Sequence, residues 1–425
     1  MTSFALRTST GAPDCRRSFL PLPASDRSTV RSPAQPIRLP VMTRRLLYVV
    51  NDSDYFLSHR LSLARAAVAE GWQVHVATPS GPGDRQIVAE GFGWEPVRIV
   101  RGLGGPWREL VALWDLWRLY RRLRPDLAHH ITAKPILYGG LVARLLRVPA
   151  TVSTVAGLGL LFSRRDLKAR LLRRAVAAGY GLVFRHRHAR VIFQNPEDRD
   201  ALLRRGVARS EQTVLILGSG VDPERFRPAP EPSGTPLVVL ASRLLWHKGV
   251  GEFVLAAQRL RAEGVQARFA LVGEPDLGNP GAVPLTQLQQ WAAEGAVEWW
   301  GRRDDMPTVL AACHVFCLPT YYGEGLPKVL LEAGACSRPS VTTDWPGCHE
   351  IVRDGETGLL VPPRDVPALV EALRRLIADP ALRARLGEAA RERVLAGFSD
   401  AQVIAATLEV YREVLSVTES VQRVP

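Results

Sequence analysis

The segment VDPERFRPAPEPSGTP, residues 221–236, divides the sequence into two halves that repeat one pattern. Its five prolines stop helices and central strands, because proline lacks a backbone N–H and fixes φ. On both sides of it, short apolar runs alternate with segments of helix length. Such alternation is typical of parallel strands joined by crossover helices. We therefore predict an α/β protein with two doubly wound, Rossmann-like domains that face each other across a cleft.

The apolar runs define the expected strands, and the segments between them define the expected helices. The expected strands are 46–50, 73–78, 126–131, 150–155, 191–194 and 213–217 in the first half, and 237–241, 267–272, 297–300 and 315–319 in the second. The expected helices include 57–70, 107–124, 254–262, 285–293 and 400–416. We expect domains at 43–217 and 218–399, and a C-terminal helix within 400–425 that packs back on the first domain.

The first 42 residues are rich in Ser, Pro, Thr and Arg and have little apolar periodicity, which predicts disorder. Three interpretations are open: an organelle transit peptide, a flexible arm, or an extension upstream of the true start. We favour the last, a misassigned start, because Met42 lies four residues before the first expected strand.

The positive charge is concentrated in the first half. The net charge is +13 in all, with +4 in residues 1–42, +14 in 43–217 and −5 in 218–425. This asymmetry indicates that only the first half faces an anionic surface. Nucleic-acid binding, which the isoelectric point near 10.1 also suggests, is disfavoured because no aromatic-basic binding module is present.

Two basic segments are candidates for contact with an anionic membrane. Residues 107–124 combine tryptophan with several arginines, and residues 164–190 contain nine Lys or Arg and one Asp. Basic helices with tryptophan are typical of membrane interfaces. The alternative is ordinary core helices with a solvated face. No apolar run approaches the roughly 18 to 20 residues of a membrane span, so the contact would be peripheral.

The cysteines and acidic turns do not indicate a metal site. Five cysteines without a CxxC pattern are typical of reduced thiols in a cytosolic protein. The motif NDSD, residues 51–54, could hold a divalent metal, but Asp and Ser are also the residues that begin helices. We favour the helix start and predict no metal.

Two stretches of the second half carry candidate chemistry. In ASRLLWHKGVGEF, residues 241–253, Arg243 and Lys248 lie in a strand-to-helix turn, which suits a diphosphate. In YYGEGLPKVLLEAGA, residues 321–335, Pro327 suits a helix start and Gly325 allows a close backbone approach. The N–H groups of Leu326 and Lys328 could then bind phosphate.

The second stretch also holds two carboxylates, Glu324 and Glu332. Paired carboxylates hydrolyse glycosidic bonds when they flank the bond as acid and base. From the residues alone, one carboxylate lies on each side of the loop that could bind phosphate; the alternative is a charge that complements the helix dipole, together with a surface glutamate.

Four ordered motifs resemble the GT-B glycosyltransferases of family 4, the retaining group. They are GSGVDPERFRP, LASRLLWHKGVGEF, WWGRRDDMPTVLAACHVFCLPTYYGEGLPKVLLEAGA and WPGCHEIVRDGETGLLVPPRD, and the similarity extends over residues 44–416. Within the family, the chain is most similar to bacterial transferases that extend undecaprenyl-diphosphate-linked sugars, including N-acetylgalactosaminyltransferases. The resemblance implies metal-independent transfer of a hexose or N-acetylhexosamine from a UDP-sugar to a polyprenyl-diphosphate-linked saccharide, on the cytoplasmic face of the membrane.

The resemblance also implies roles for single residues. The catalytic set would offset charge on the leaving UDP and hold the donor sugar: Arg243, Lys248 and Glu324. The donor-binding set would contact the phosphates, ribose and base: Gly325, Leu326, Pro327, Lys328, Glu332, Arg302 and Arg303. The acceptor-side candidates are His59 and Arg60, where the family places acceptor contacts, and Lys134, which follows a strand end; the alternative for each is a capping or surface role.

One departure from the family pattern puts a further role in doubt. Many relatives have histidine directly before the GLG of residues 157–159, where this chain has Ala156. The partners expected are the UDP-sugar, the lipid-linked saccharide and the membrane surface, with no cofactor, nucleic acid or obligate protein partner. The alternative function is a UDP-sugar epimerase or hydrolase on the same fold.

Overall fold

The computed structural model describes residues 44–100, 102, 105–158, 167–276, 278–321, 323 and 325–422. The expected disorder of residues 1–42, and the choice of start, lie outside these residues. Glu324 also lies outside them.

The first half forms a seven-stranded parallel sheet in the order β3-β2-β1-β4-β5-β6-β7. Its strands are β1 Arg45–Val49, β2 Gln73–Thr78, β3 Gly93–Pro96, β4 Leu127–Ile131, β5 Ala150–Val155, β6 Ala189–Phe193 and β7 Thr213–Leu215. The central strands are buried along their whole length because helices cover both faces of the sheet.

The second half forms a six-stranded parallel sheet in the order β10-β9-β8-β11-β12-β13. Its strands are β8 Leu237–Ala241, β9 Arg268–Val272, β10 Glu298–Trp299, β11 Val315–Leu318, β12 Ser340–Thr343 and β13 Gly358–Val361. In both sheets the strand order reverses beside the first strand, as in the dinucleotide-binding fold. The prediction of two doubly wound domains is therefore confirmed.

Helices connect the strands and cover the sheets. Those of the first half are α1 Ser53–His59, α2 Leu61–Ala69, α3 Asp84–Ala89, α4 Pro106–Leu123, α5 Gly140–Leu145, α6 Leu167–Phe184 and α7 Pro196–Arg204. Those that follow are α8 Val250–Ala262, α9 Leu285–Ala293, α10 Met306–Ala312, α11 Lys328–Ala335, α12 Val366–Ala378, α13 Pro380–Gly397 and α14 Asp400–Gln422. Within the described part of the chain, no helix is long and apolar enough to cross a bilayer.

The single helix expected at 57–70 is wrong, because two helices occupy this region. Asp52 caps α1 by accepting a hydrogen bond from the Tyr55 N–H, so the first helix begins before residue 57. Arg60 then leaves the helical conformation at φ −131° and separates α1 from α2. The NDSD motif therefore starts a helix, as favoured from its sequence.

The last helix packs on the first sheet. Tyr411 of α14 shares a 2.6 Å hydrogen bond with Nδ1 of His129 on β4, and its hydroxyl donates to Tyr48 of β1 at 3.1 Å. Val403, Val414 and other apolar residues of α14 belong to the core beneath that sheet. The limits of the domains, at 43–217, 218–399 and 400–425, stay a prediction.

Candidate active site

The turn that contains Lys248 lies against the end of strand β11. Lys248 is 8% exposed and ends a 3-10 turn at Trp246–Lys248. Gly249 follows at φ +79°, and a Cβ on it would lie 2.2 Å from the Pro319 carbonyl oxygen. Only glycine permits this approach, so the sequence at residue 249 fixes the turn against the neighbouring loop.

Hydrogen bonds join this turn to the loop that enters α11. The His247 carbonyl accepts a bond from the Tyr321 N–H at 3.0 Å and another from the Thr320 hydroxyl at 3.2 Å. The two motifs found in the sequence thus form one site at the carboxyl ends of β8 and β11. Arg243 is half exposed and pairs with Asp276 at 2.9 Å.

The loop before α11 is buried, and its helix start faces the site. Gly325, Leu326 and Pro327 are buried, and Pro327 is the N-cap residue of α11. The first N–H groups of a helix have no acceptor within the helix, so they can bind an anion. Glu332 lies on the second turn of α11, where burial raises its pKa and the charges of Lys328 and Arg225 oppose that shift.

Lys328 reaches across to the first domain. Its ammonium donates a 2.5 Å hydrogen bond to the carbonyl of Ser58, at the end of α1. His59 beside it stacks on Tyr55 at 4.2 Å, and its Nδ1 lies 2.7 Å from the Ser58 hydroxyl. Burial, then the charges of Lys328 and Arg60, lower the pKa of His59 well below its usual range. This imidazole is therefore neutral near pH 7.

Arg60, between α1 and α2, is unusual because this arginine is only 3% exposed. Its Nε and Nη2 atoms contact no hydrogen-bond acceptor of the described chain. A buried guanidinium without a hydrogen-bonded counterion costs several kcal/mol, on the order of the penalty for other buried ions. An anionic ligand would offset that cost.

Arg302 and Arg303 lie on the surface after β10. Arg302 forms ion pairs at 3.3 Å with Asp304 of its own loop and with Asp54 of α1. Arg303 pairs with Asp305 at 2.6 Å. Asp54 of the NDSD motif thus binds a cation of the other domain.

Lys134 is held within the first domain. Its ammonium bonds both carboxylate oxygens of Glu109, at 2.7 and 2.8 Å, and the Tyr138 hydroxyl donates to the same carboxylate at 2.8 Å. Thr132, directly after β4, has φ +75°, and its buried hydroxyl has no partner in the described chain. A β-branched residue in this conformation is strained, and such strain concentrates at functional sites.

The sequence analysis missed a second edge of the cleft, at the start of α7. Asn195 caps this helix, and its Nδ2 lies 3.3 Å from the carbonyl oxygen of Gly325 in the other domain. A Cβ on Gly325 would lie 2.1 Å from Oε1 of Gln194 and 3.1 Å from the carbonyl carbon of Ala156. The sequence could have indicated this edge through three polar residues, Gln194, Asn195 and Asp198, which follow the carboxyl end of β6.

One cluster at this edge has the composition of a metal site. Single ligand atoms of Glu197, His349 and Glu350 lie within 4.8 Å of one another. His349 bonds Asp344 at 2.7 Å and Glu197 at 3.1 Å. Burial, followed by the facing Glu197, raises the pKa of Glu350 to about 7. His349 thus forms an ion pair between the two domains, and the absence of a metal stays a prediction.

Two sequence families match the chain, one for each half. Residues 45–195 match the family described as Glycosyl transferase 4-like, and residues 235–379 match Glycosyl transferases group 1. Together the two matches cover the second sheet and every strand of the first sheet except β7.

Curated relatives include a sugar transferase and a synthase. The N,N'-diacetylbacillosaminyl-diphospho-undecaprenol alpha-1,3-N-acetylgalactosaminyltransferase of Campylobacter jejuni is 28% identical over 362 residues, which cover 80% of this chain and 93% of the relative. The alpha-maltose-1-phosphate synthase of Mycolicibacterium smegmatis is 35% identical over 239 residues, which cover 51% of this chain and 61% of the relative.

A solved structure shares the fold across both domains. The Anabaena HepE protein, in complex with UDP and glucose, superposes with a TM-score of 0.72 at 19% identity and covers 86% of this chain and 99% of its own. At this identity the likeness establishes the fold alone.

Proposed function

Because the chain belongs to the glycosyltransferases and has the GT-B fold, we propose that it moves a hexose or N-acetylhexosamine from a UDP-sugar to a polyprenyl-diphosphate-linked saccharide. We propose further that transfer retains the anomeric configuration and needs no metal. The observation that carries the proposal is the meeting of Lys248, the start of α11 and Lys328 with the Arg60 edge of the first domain.

The donor diphosphate is assigned to the second domain. Lys248 and the first N–H groups of α11 would stabilise charge on the departing UDP, a preorganised electrostatic contribution. Glu332 would accept hydrogen bonds from the ribose, and such charge-assisted bonds contribute about 1.5 to 3 kcal/mol each. Arg302 and Arg303 are proposed to lie near the base, and Glu324 to contact the donor sugar. Arg243 would reach the diphosphate by exchanging its Asp276 partner.

The acceptor is assigned to the first domain. The buried guanidinium of Arg60 suits an acceptor phosphate, because an anion would supply acceptors for its Nε and Nη2 atoms. His59, neutral and next to Lys328, lies at the border between the two substrates. Lys134 would bind acceptor only by leaving Glu109, so we rank it below Arg60.

The membrane contact is assigned to α4. Trp107 is 77% exposed, and Leu110 and Trp114 on the same helix are also exposed. Trp114 stacks on Trp117 at 5.0 Å, and the Arg121 guanidinium lies 4.6 Å from the Trp117 ring. Exposed tryptophan beside arginine supports peripheral binding to an anionic leaflet on the cytoplasmic side.

The donor and acceptor assignments are tested with purified protein, a panel of UDP-hexoses and UDP-N-acetylhexosamines, and a polyprenyl-diphosphate-linked saccharide. We expect sugar transfer that requires the acceptor, is unchanged by EDTA, and yields the donor's anomeric configuration by NMR. Release of free sugar, or epimerised UDP-sugar without acceptor, would contradict the proposal and support the hydrolase or epimerase.

The membrane assignment is tested by sedimentation with vesicles of mixed phosphatidylglycerol and phosphatidylcholine. Changing Trp107 and Trp114 to Ser is expected to lower the bound fraction. The matched control is Trp246→Ser, which changes a half-exposed tryptophan of the second domain. Equal binding by all three proteins would remove α4 from the membrane contact.

A further inference from the structure

The start of α7 connects one loop from each domain through buried polar groups. Asn195 is 0% exposed and lies two residues after the end of β6. Its Oδ1 accepts the Asp198 N–H at 2.8 Å, and its Nδ2 donates to Asp198 Oδ2 at 3.0 Å and to the Gly325 carbonyl at 3.3 Å. Asp198 Oδ2 also accepts the Leu158 N–H at 3.2 Å.

These bonds form a continuous chain across the cleft. It runs from the Leu158 N–H through the carboxylate of Asp198 and the amide of Asn195 to the carbonyl of Gly325. Leu158 belongs to the loop after β5 in the first domain, and Gly325 to the loop before α11 in the second. These hydrogen bonds therefore couple the position of the loop after β5 to that of the loop before α11.

The backbone of Gly325 lies close to Gln194 and Ala156 of the first domain. An added Cβ would meet the Gln194 carboxamide oxygen at 2.1 Å and the Ala156 carbonyl carbon at 3.1 Å. The Gln194 oxygen ends a flexible side chain and can move aside, whereas the Ala156 carbonyl carbon and the Gln194 Cβ, both at 3.1 Å, would have to shift by a few tenths of an ångström. Glycine at residue 325 thus permits the close approach of the two domains without these shifts.

We propose that Asn195 and Asp198 are positioning residues that hold the loop before α11 in register with loop 156–158. They touch neither substrate in this assignment and act through the backbone of Gly325 and Leu158. The expected effect on catalysis rests on the proposed function, because the donor site includes the loop before α11. The effect on the positions of the two loops is independent of the proposed function.

The charge on Asp198 and the amide of Asn195 have separable roles. Changing Asn195 to Ser retains a good helix cap but removes the amide that bonds Asp198 and Gly325. Changing Asp198 to Asn retains a side-chain oxygen of similar shape but removes the negative charge that strengthens the bonds. The matched control is Asp200→Ala on the same helix, where the carboxylate pairs only with the partly exposed Arg199 in the described structure.

The test combines hydrogen exchange with kinetics on the full chain. For Asn195→Ser we expect faster exchange in peptides covering both 156–158 and 325–330, since one lost link releases both loops. We expect turnover to fall about ten- to a hundredfold, the effect of losing one or two buried hydrogen bonds, with little change in UDP affinity. Asp198→Asn should give a smaller change in the same direction, and Asp200→Ala should match the wild type.

The outcomes separate this inference from the proposed function. If the wild type does not bind UDP, the donor assignment fails while the exchange result still tests the link between the loops. If UDP binds but Asn195→Ser leaves both the exchange and the turnover of the wild type unchanged, the positioning role is wrong. A loss of thermal stability without faster exchange in the 325–330 peptide would also overturn it, because it would reduce Asn195 to a helix cap.

Discussion

Two cations of the second domain and Arg60 of the first differ in whether the described chain provides their partners. On the second domain, Arg243 pairs with Asp276, and Lys328 bonds the Ser58 carbonyl. On the first domain, the guanidinium of Arg60 and the hydroxyl of Thr132 are buried with atoms that have no partner in the described chain. Under the proposed assignment, the cations of the donor face are held by protein contacts, whereas Arg60 of the acceptor face would gain its missing acceptors from a ligand.

The largest expected effect is on the donor face. Changing Lys248 to Ala should lower turnover about 10²- to 10³-fold, because a preorganised cation acts on charge that develops in the transition state. Steady-state kinetics with saturating donor measures it.

Glu332→Gln provides the comparison for Lys248, since it changes a group assigned to binding. Its main effect should be a higher KM for the UDP-sugar, with a much smaller loss of kcat. Equal losses of kcat in the two variants would contradict the division between chemistry and binding.

The next effect is on the acceptor face. Arg60→Ala should lower kcat/KM for the lipid-linked acceptor about ten- to a hundredfold, while UDP affinity stays unchanged. Thermal stability should not fall, because removing the guanidinium also removes its desolvation cost. Calorimetry and acceptor titration measure these quantities.

Arg65→Ala is the matched control for Arg60. Arg65 is an exposed arginine of the neighbouring helix that pairs with Glu90. A variant of Arg60 that behaves like the control in acceptor titration would show that the unpaired guanidinium has no ligand.

A moderate effect is expected on the pH dependence of stability, through Asp198 at the start of α7. Burial raises the pKa of Asp198 to about 6, from an ordinary value of 3.8, despite the bonds from Asn195 and Leu158. Glu197 of the same helix raises it further, and Tyr180 of α6 faces it. The folded protein therefore holds this proton more tightly than the unfolded chain does.

The sign of the pH dependence follows from that difference. The free energy of unfolding should fall as pH rises from about 4 to 6, by up to about 2 kcal/mol, and then level off. Chemical denaturation across this range should show a flatter profile for Asp198→Asn than for the wild type. If the free energy of unfolding had the same pH dependence in both proteins, the raised pKa of Asp198 would be contradicted.

The smallest effect is expected at the exposed ion pair between Asp54 and Arg302. Exposed pairs contribute about 0 to 1 kcal/mol and are screened by salt. Asp54→Asn should change kcat/KM less than about fivefold, and the change should disappear at high salt. A large, salt-independent loss would show that this edge of the cleft is as important as the buried contact of Asn195.

The strands that were predicted best are buried on both faces. Ala150–Val155 and Leu237–Ala241 match the expected limits, because central parallel strands form continuous apolar runs. Ser340–Thr343 was missed because its buried side chains are mostly polar. Thr342 compensates by donating its hydroxyl to the Leu318 carbonyl at 2.7 Å. This compensation depends on the neighbouring strand and cannot be seen in the local sequence.

The candidate site was predictable where short motifs encode it. Lys248, Gly325 and Glu332 belong to two continuous stretches, and residue types alone indicated an anion site there. Arg60 was named as a candidate, but its burial and the helix break around it depend on packing. Asn195 lies about 130 residues from Gly325 in the sequence, so their contact follows only from the folded chain.

The most direct test of the central claim is calorimetric titration of UDP into the wild type and the Glu332→Ala variant, with Glu371→Ala as control. Glu371 is a glutamate of α12 whose carboxylate pairs with Arg374 of the same helix. We predict that the wild type and the control bind UDP and that Glu332→Ala binds at least about tenfold more weakly. Absence of UDP binding by the wild type, or equal affinity in all three proteins, would contradict the assignment of the UDP-sugar to this site.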